Sequence, residues 1–591
     1  MADRFSLKIM ANHRCLLKNV WNRFYAISRS TATNNSAQNG DDVETCFKRL
    51  GDLSFNDTQE AFKSKSNFDL WRALIVLNLC SYETLVQHNL TLMNTTKKIF
   101  GQRIFETLMR WSFYGHFVAG ANEKDIRPSI NRLRAFGVKS ILDYSVEADV
   151  DTVEKSMEIE DIGGIVDRRV GVISARTYTY EGEPECDRNM EIFRNCISAV
   201  TDYTGGTGFS VIKMTALGRP QLLLRLSDVI VKYQNFFKLL TRSDLNNLTE
   251  CKLSEEQFAK RLDELGLKTD SKELKDWFRE CDHNGDGQLD IYEWSRLLDQ
   301  KFKLAKMFKI VNLRTGKVES LIPDLSELEE AQYRNLIRRI DILAEFAQEK
   351  NVRMMVDAEQ TYLQPAISRL TVELMRKYNK KKPVIFNTYQ AYLKKTLCNV
   401  KIDLQIARRD DLYFGAKLVR GAYMLQERER AGAMHYEDPV NPDYDATTVM
   451  YDSVFKEIIE EVKKRPMGKV AVMCATHNED TIRHVLNIMR SNGIGPQQHV
   501  CCFGQLYGMC DQVSFPLGQA GFSVYKYVPY GPVEGVMPYM SRRVQENSGS
   551  GGMLAKSSRE RKMLRQELKR RYKKLQFFYN PAKYASYPEY L

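Results

Sequence analysis

Two adjacent arginines near the C-terminal end are the first side chains that could do chemistry. They are Arg542 and Arg543 in the stretch PYMSRRVQEN, and Glu546 follows one turn later. Nothing after Pro538 in this stretch breaks a helix, and Tyr539 would lie on the same helical face as both arginines. Two guanidinium groups, a phenol and a carboxylate suit a small anion. The alternative is a basic surface helix, because the next segment, RERKMLRQELKRRYKK, is rich in lysine and arginine.

Polar side chains also end several short apolar runs that are typical of buried strands. The runs are FSVIKMTA, VRMMVDAE, PVIFNTYQ, YFGAKLVRGAY, KVAVMCATHN, HVCCFGQ and SVYKYVPYG. In a barrel of parallel strands the carboxyl ends form the rim that carries the active site. Taken singly, a strand-end lysine or aspartate is often a surface ion pair, and a histidine is often a satisfied core residue. The strand-end set is Lys213, Asp357, Gln390, Arg420, His477 and Gln505.

An acidic loop between the first two of these runs has the spacing of a calcium site. In DHNGDGQLDIYE, oxygen-bearing side chains fall at loop positions 1, 3, 5, 9 and 12, and position 7 offers its carbonyl. Gly287 stands at position 6, where the turn needs positive φ, and helical stretches flank the loop. This pattern matches the EF-hand, whereas an ordinary acidic turn would explain neither the spacing nor the helices. The predicted ligands are Asp282, Asn284, Asp286, Gln288, Asp290 and Glu293.

A second, degenerate hand is predicted upstream of this loop. The stretch KLSEEQFAKRLDELGL has Leu253 and Phe258 where the complete hand has Leu289 and Trp294. Its loop has lost the ligands, and Cys251 takes the place of the glycine. We therefore expect one working hand supported by one that cannot bind calcium.

The order of the apolar runs predicts an α/β fold, a distorted TIM-type (β/α)8 barrel. Seven strand-like runs alternate with helical stretches such as DSVFKEIIEEVKK, which indicates parallel strands. About 140 residues separate the first two runs, far more than one crossover helix needs. The predicted domains are a helical region over 41–185, the barrel over 186–235 and 305–547, the EF-hand insertion over 236–304, and a basic tail over 548–591.

Composition narrows the class of protein. At 591 residues, 43% hydrophobic and 10% aromatic, the chain is globular and long enough for several domains. The net charge of +12 gathers near the two ends rather than in a basic run with interleaved aromatics, so nucleic acid is not an expected partner. A basic terminus could instead touch an anionic membrane surface. The 12 cysteines show no zinc-binding spacing, and free thiols are expected.

The first 40 residues have the composition of a mitochondrial transit peptide. Their bases fall on one side of a helix and their apolar residues on the other, with Asp3 as the one acid, and the polar stretch SRSTATNNSAQNG follows. An ordinary amphipathic helix is the alternative. The run ALIVLNLC is too short to span a bilayer, so we expect a soluble or peripheral protein.

Eight motifs occur in order along the chain: IKMTAL, VDAEQTYLQPAI, TYQAYLKKT, KLVRGAY, ATHN, QLYGMCDQ, YKYVPYG and YMSRRVQEN. Together they resemble the motifs of proline dehydrogenases. The sequence is similar to the eukaryotic, mitochondrial members of that family. The resemblance implies a barrel with non-covalent FAD that takes a hydride from C5 of L-proline and yields Δ1-pyrroline-5-carboxylate. It also implies that the electrons pass to a membrane quinone and that the protein contacts the inner mitochondrial membrane on the matrix side.

The resemblance also assigns a substrate site. Arg542, Arg543 and Lys213 match the family's clamp on the proline carboxylate. Glu546 would orient the arginine pair, and Asp357 would pair with one of the two arginines. Tyr527 and Tyr539 match residues that wall the pyrrolidine ring in the family, and Leu418 would pack on that ring or on the flavin.

The flavin contacts that the resemblance implies lie on several strand ends. Bacterial relatives often have Arg-Leu-Val-Lys where this chain has KLVR, so the contacts made by Lys417 and Arg420 are expected to be exchanged or altered. The full expected set is Gln390, Lys417, Arg420, Gly421, Ala422, Thr476, His477, Asn478 and Gln505.

Two alternative functions remain open at this point. Hydroxyproline dehydrogenases share most of the motifs. A calcium-binding scaffold on an inactive barrel is the alternative from a different class. The complete arginine clamp and the complete ATHN motif argue against an inactive barrel.

Overall fold

The structure is a computed structural model that describes residues 43–51, 53–146, 180–243, 248–265, 271–296, 309–311, 318–320, 325–547 and 554–590. The predicted transit peptide, residues 1–40, lies outside this part of the chain.

Eight parallel strands in the described part of the chain close into a barrel. Around the barrel the strands follow the chain order, and the last strand closes on the first. A closed parallel barrel of this kind confirms the predicted architecture. The strands are β1 (Lys139–Tyr144), β2 (Phe209–Ile212), β3 (Arg353–Val356), β4 (Ile385–Gln390), β5 (Phe414–Val419), β6 (Val470–Ala475), β7 (Cys501–Leu506) and β8 (Val524–Tyr530).

The sequence predicted seven of these strands and missed β1. That strand lies inside the region 41–185 that was expected to be mostly helical. Its pairing with both β8 and β2 makes it an integral part of the barrel.

Helices precede β1, as the apolar spacing predicted. Their ends carry the expected signals: Asp57 and Asn122 accept backbone N–H bonds as N-caps, and Ser66 forms a reciprocal capping box with Asp69. The helices are α1 (Val43–Leu50), α2 (Thr58–Phe62), α3 (Asn67–Leu79), α4 (Glu83–Gln87), α5 (Asn89–Phe100), α6 (Gln102–Trp111), α7 (Phe113–Phe117) and α8 (Glu123–Ala135).

Helices that connect successive strands, and one helix that follows the last strand, surround the barrel. Apolar side chains on the outer face of the strands pack under this helical layer, and a second cluster fills the interior, where Phe209 contacts Phe386 and Tyr525 edge to face. The surrounding helices are α9 (Glu183–Thr204), α10 (Pro220–Thr241), α14 (Glu327–Glu349), α15 (Gln364–Tyr378), α16 (Thr396–Arg409), α17 (Met424–Met434), α18 (Tyr444–Lys464), α19 (Glu479–Ser491), α20 (Asp511–Gln519) and α21 (Met537–Asn547).

An inserted module lies between α10 and α14. It contains α11 (Glu255–Glu264), α12 (Ser271–Cys281) and α13 (Ile291–Arg296). Its two short strands, Lys252–Ser254 and Gln288–Asp290, pair antiparallel with Leu253 opposite Leu289, the two residues that the sequence aligned. Trp294 stacks on Tyr233 of α10 with ring centroids 4.7 Å apart. A further antiparallel pair joins Lys309–Val311 to Val318–Ser320.

The basic C-terminal segment forms a packed helix, α22 (Leu554–Lys573). Met563, Leu564 and Leu568 are buried against α2 and α3. Within the described ranges, no helix is both long and apolar enough to cross a bilayer, and the cysteines are free thiols.

Candidate active site at the barrel mouth

A cavity of about 280 Å³ opens at the carboxyl ends of the barrel strands. All six predicted strand-end residues line it, so the structure brings together side chains that lie up to 292 positions apart in the sequence (505 − 213). Four side chains of α21 also line it. These four are Tyr539, Arg542, Arg543 and Glu546.

The two arginines of α21 lie on one side of the helix, as predicted. Both guanidinium carbons lie over the ring of Tyr539, at 4.8 Å for Arg543 and 5.9 Å for Arg542. Arg543 is 6% exposed and donates to Glu546 Oε1 at 2.7 Å. Burial of Arg543 excludes an ordinary surface helix, and the contact shows Glu546 holding one arginine of the pair. Burial also raises the pKa of Tyr539 to about 12, so the phenol is neutral.

A charge network lies at the ends of the neighbouring strands. Asp357 accepts a hydrogen bond from Lys417, and its carboxylate lies 4.0 Å from Lys213 Nζ. Tyr527 donates its hydroxyl to Asp357 Oδ2 at 3.0 Å. Burial opposes ionisation of Asp357, but the ammonium groups of Lys417 and Lys213 outweigh it and hold the pKa of the carboxyl below its usual range.

The partners of Asp357 that the structure shows are lysines rather than an arginine. They are Lys417 on β5 and Lys213 after β2, because both strands lie near β3 around the barrel. The carboxylate closest to Lys213 is instead Asp143, with Oδ1 at 2.7 Å from Nζ. The sequence analysis missed Asp143 because it missed β1, the strand on which Asp143 lies.

Leu418 does not line the cavity, contrary to its predicted contact with the pyrrolidine ring or the flavin. Side chains alternate along β5, so Lys417 and Val419 face the cavity while Leu418 is buried under the outer helices. Gly421 does line the cavity, but its φ is +138° and an added Cβ would lie 1.8 Å from the ring of Tyr392. The contact with Tyr392 alone thus requires glycine at this position.

Arg420 is the candidate for a second anion contact. Its guanidinium lies 4.4 Å from the ring centroid of Tyr444, and Nη2 donates to Thr448 and Thr481 at 2.8 and 3.2 Å. Its Nε and Nη1 are buried and have no protein acceptor among the described residues. Two desolvated donors of a cation that line a cavity are what an incoming phosphate oxygen would satisfy.

Other expected flavin contacts already have protein partners. His477 Nε2 accepts the Leu506 N–H at 2.9 Å, and Asn478 caps α19 while donating to the Tyr444 hydroxyl at 2.7 Å. Gln390 donates to the Glu359 carbonyl at 2.8 Å, and Gln505 bonds Ser514. These residues line the cavity together with Thr476 and Ala422, and their bonds fix the loops on which they lie.

Glu359 is a buried acid in this cavity that the sequence analysis did not single out. Thr215 donates to its Oε1 at 3.0 Å, while Oε2 is buried without a protein partner in the described chain. Burial raises the pKa of the carboxyl to about 7. It follows Asp357 by two residues in VDAEQ, so its place beside a strand end was the available signal.

The predicted calcium ligands lie in one loop but do not form a cluster. In the described residues, no group of three or more His, Cys, Asp or Glu side chains is arranged to hold a metal ion. Asp282 accepts backbone N–H bonds from Gly285 and Gly287, and the carboxylate of Asp290 is paired with Arg409 of α16. Gly287 has a φ of +73°, as its predicted position requires.

The cavity fits a flavin by its unpaired donors and its walls. Within the part of the chain that the structure describes, buried donors without a protein partner lie at two places on the rim: on Arg420 after β5, and at Arg543 Nε and the Tyr539 hydroxyl on α21. Ile141, Met473 and Ala475 add apolar wall between charged groups. An apolar wall with anion-binding groups on two sides can hold a flat ring, its phosphates and a small carboxylate.

Comparisons with known proteins find relatives over most of the chain. The model of the family described as proline dehydrogenase matches residues 230–556. Mitochondrial proline dehydrogenase 1 of Caenorhabditis elegans is 51% identical over 569 residues, 91% of each chain. A hydroxyproline dehydrogenase of Xenopus laevis is 32% identical over 88% of this chain and 91% of its own.

A solved structure shares the fold. Proline utilization A (PutA) from Bdellovibrio bacteriovorus, inactivated by N-propargylglycine, matches with a TM-score of 0.50 at 14% identity, over 87% of this chain and 41% of that one. This chain thus spans about two-fifths of the PutA chain. The family match over more than half of the sequence and the relatives that match over most of it show that the chain belongs to the proline dehydrogenase family.

Proposed function

We propose that this protein oxidises L-proline to Δ1-pyrroline-5-carboxylate with FAD bound at the barrel mouth, the first step of proline catabolism. The observation that carries the proposal is the buried Arg543, beside Arg542 and Tyr539, on a helix that lines the same cavity as Lys213. The carboxylate is the group of proline that a protein can bind most strongly. Guanidinium groups and an ammonium bind a carboxylate through charge-assisted hydrogen bonds that are roughly twice as strong as neutral ones.

The neighbouring acids make such a cluster of cations possible. Glu546 neutralises Arg543, and Asp143 and Asp357 neutralise Lys213 and Lys417. The network can therefore keep its cations charged while the site is buried, and it holds each in place before proline enters. The neutral phenols of Tyr527 and Tyr539 wall the pocket without adding charge beside C5 of the substrate.

When bound, FAD would supply the redox chemistry as acceptor of the hydride from C5 of proline, and a quinone would be the final acceptor of the electrons. Arg420 would bind its phosphates, and Gln390, Lys417, Thr476, His477, Asn478 and Gln505 would contact the ring or the chain. Gly421 and Ala422 would line the same side. The chain's own task is to bind the carboxylate, orient the ring and exclude water.

The flavin colour tests the proposal directly. Purified protein should be yellow and should bleach when L-proline is added without oxygen. A colourless protein that binds calcium would instead support the scaffold on an inactive barrel.

Hydroxyproline is the competing substrate. The relative named for proline is 51% identical and the one named for hydroxyproline 32% identical, over similar shares of the chain, which favours proline. A comparison of kcat/KM for L-proline and trans-4-hydroxy-L-proline decides between them. A higher value for hydroxyproline would overturn the substrate assignment.

We also infer that the loop 282–293 belongs to an EF-hand and binds calcium through the six residues named above. Support comes from the pairing of Leu253 with Leu289 and from the positive φ of Gly287. Titration calorimetry should show high-affinity binding that Asp282→Ala abolishes. Asp276→Ala, on the preceding helix, is the matched control. Equal calcium affinity in native protein and Asp282→Ala would refute the ligand assignment.

The proposed location is the mitochondrial matrix face of the inner membrane, where a membrane quinone accepts the electrons. The relative from Caenorhabditis elegans is named mitochondrial, and residues 1–40 have the composition of a transit peptide. A reporter fused to residues 1–40 should enter mitochondria. A reporter that stays in the cytosol would contradict the transit-peptide assignment.

A further inference from the structure

Two stripes of exposed apolar side chains lie on the N-terminal helices. One stripe on α3 has Phe68, Trp71 and Ile75, and one on α6 has Ile104, Leu108 and Trp111. Trp111 is 66% exposed and Phe68 50%, and their rings touch edge to face with centroids 5.5 Å apart. The two stripes therefore form one continuous surface, here called the apolar face.

The end of the chain extends the apolar face. Trp71 donates to the Tyr572 hydroxyl at 3.0 Å, and Asn67 donates to the carbonyls of Gln576 and Phe577. The next residue, Phe578, is 100% exposed. The aromatic residues of the extended face expose on the order of 500 Å², which already equals the largest apolar patch of a typical monomer.

A row of exposed bases borders the apolar face. On α22, Lys562, Arg565, Lys569 and Lys573 recur at three- and four-residue spacing, on the side opposite the buried Met563 and Leu568. The row adjoins the stripe of α3, because Arg565 donates to Asn78 at 3.2 Å. Further bases stand on α5 and α6 at Lys98, Arg103 and Arg110.

We propose that the apolar face and its basic border form the surface by which this protein docks on an anionic lipid bilayer. Tryptophan and tyrosine favour the membrane–water interface, and lysine and arginine beside them attract anionic headgroups. A helix with an apolar face and basic neighbours lies in the interface plane instead of crossing it. The chemistry fits a lipid surface better than a second protein, because a protein partner would need acids to match the row of bases.

The position of the face connects it to the proposed reaction. On their buried sides, α3, α5 and α6 contribute Val76, Met93 and Phe105 to one core with Met540 and Val544 of α21. The apolar face thus lies one helix layer behind the arginine clamp. This docking surface rests on the proposed function only in that a membrane quinone is the acceptor, and it would bring the barrel mouth close to that quinone.

Vesicle binding tests the docking surface. Full-length protein is mixed with phosphatidylcholine vesicles that either contain phosphatidylglycerol or lack it, and binding is read by co-sedimentation and by the blue shift of tryptophan fluorescence. Native protein should bind the anionic vesicles. Trp111→Glu and Phe578→Glu should each weaken this binding at least tenfold, and Lys569→Glu should weaken it less. Leu425→Glu, at a residue that is 72% exposed on α17, is the matched control and should bind like the native protein.

The outcomes separate docking from catalysis. Proline-dependent reduction of a soluble dye is measured on the same preparations and should be equal in all variants, so a failure of proline oxidation would leave the vesicle result readable. The proposal would be overturned if the native protein did not bind anionic vesicles. Equal binding by Trp111→Glu would also overturn it, as would a native dimer that Trp111→Glu converts to a monomer, because a second copy would then cover the face.

Discussion

Three cations at the barrel mouth each have an acid that the protein supplies before substrate arrives. Arg543 has Glu546, Lys213 has Asp143, and Lys417 has Asp357. The cations are therefore already positioned when the substrate carboxylate binds, and binding does not require them to rearrange. Because the pairs are buried, loss of one member leaves the other uncompensated, which costs more than the pair itself contributes.

Arg543→Met should raise the KM for proline by roughly 100-fold or more, because truncating one partner of a buried charged bond costs about 2–5 kcal/mol. Arg542→Met should act in the same direction, and both variants should keep their FAD. Arg334→Met, at an exposed arginine on α14, is the matched control. Steady-state kinetics and the flavin spectrum measure the two effects. A KM equal to that of the native protein would remove the clamp assignment.

Tyr527 is expected to set the choice between proline and hydroxyproline. Its hydroxyl is held by Asp357 and its ring lies 5.7 Å from Lys417 Nζ, so the ring cannot easily move aside for an added hydroxyl on the substrate. Tyr527→Ser should narrow the ratio of kcat/KM between L-proline and trans-4-hydroxy-L-proline, mainly through lost proline activity. Tyr525→Ser, one inward position down β8, is the control for loss of a barrel aromatic. An unchanged ratio in Tyr527→Ser would show that another residue sets the choice.

Glu359 should make stability depend on pH in a defined direction. Its pKa is raised to about 7 in the folded protein, so the folded state keeps a proton that the unfolded chain releases at lower pH. The contribution of Glu359 to the free energy of unfolding therefore falls as pH rises toward 7 and is constant above. Glu359→Gln removes this loss. Its free energy of unfolding relative to native protein should be higher at pH 8 than at pH 5 by on the order of 2–3 kcal/mol.

Urea unfolding of Glu359→Gln at the two pH values measures this difference. Glu349→Gln, at an exposed position on α14, should show no such change. A relative stability of Glu359→Gln that is the same at pH 5 and pH 8 would mean that the buried carboxyl titrates normally.

The sequence analysis predicted which residues line the site better than it predicted their contacts with one another. Polar side chains at strand ends can be recognised from a local pattern, and all six lie around one cavity. The partner of Asp357 depends on which strands lie near each other around the barrel, here β3 and β5 on either side of β4, and Lys417 is 60 positions away in the sequence. The inward or outward side of Leu418 depends on strand register, which an apolar run with Lys417 in it does not reveal.

At the scale of elements, the missed strand shows why a barrel is difficult to count from sequence. The stretch KSILDY has polar residues at Ser140 and Asp143, and both are buried. Asp143 is tolerated because Lys213 of the neighbouring strand end neutralises it. A search for continuous apolar runs misses this strand, because the buried Asp143 is paired with Lys213, which lies 70 positions away in the sequence.

The inserted module contacts the barrel through a pair that bears on the proposed calcium site. Arg409 of α16 binds the carboxylate of Asp290, a predicted ligand. Its positive charge should oppose a cation in the loop, so Arg409→Ala should tighten calcium binding several-fold, an effect reduced by partial solvent exposure. Arg408→Ala is the matched control, because Arg408, which precedes Arg409 in the sequence, pairs with Glu461 outside the loop. Titration calorimetry showing weaker binding in Arg409→Ala would contradict the electrostatic argument.

At the scale of the whole molecule, α22, the last helix, packs on the N-terminal helices α2 and α3. Arg571 is buried, pairs with Glu567, and donates to the carbonyls of Phe62 and Lys65. Tyr579 covers its guanidinium at 3.6 Å. The helices that α22 covers also support α21, because Val76 of α3 packs in the same core as Met540. The two ends of the described chain thus stabilise the helix that carries the arginine clamp.

Removal of residues 554–591 should therefore affect stability and substrate binding together. The truncation exposes the surface that Met563, Leu564 and Leu568 cover, and at roughly 2 kcal/mol for each side chain the protein should lose on the order of 5 kcal/mol of stability. With α3 less firmly held, α21 should shift and the KM for proline should rise. Thermal unfolding and steady-state kinetics measure both effects, and Lys562→Ala, on the exposed side of α22, is the control. A truncated protein with the native Tm and KM would show that α22 supports neither the N-terminal helices nor the clamp.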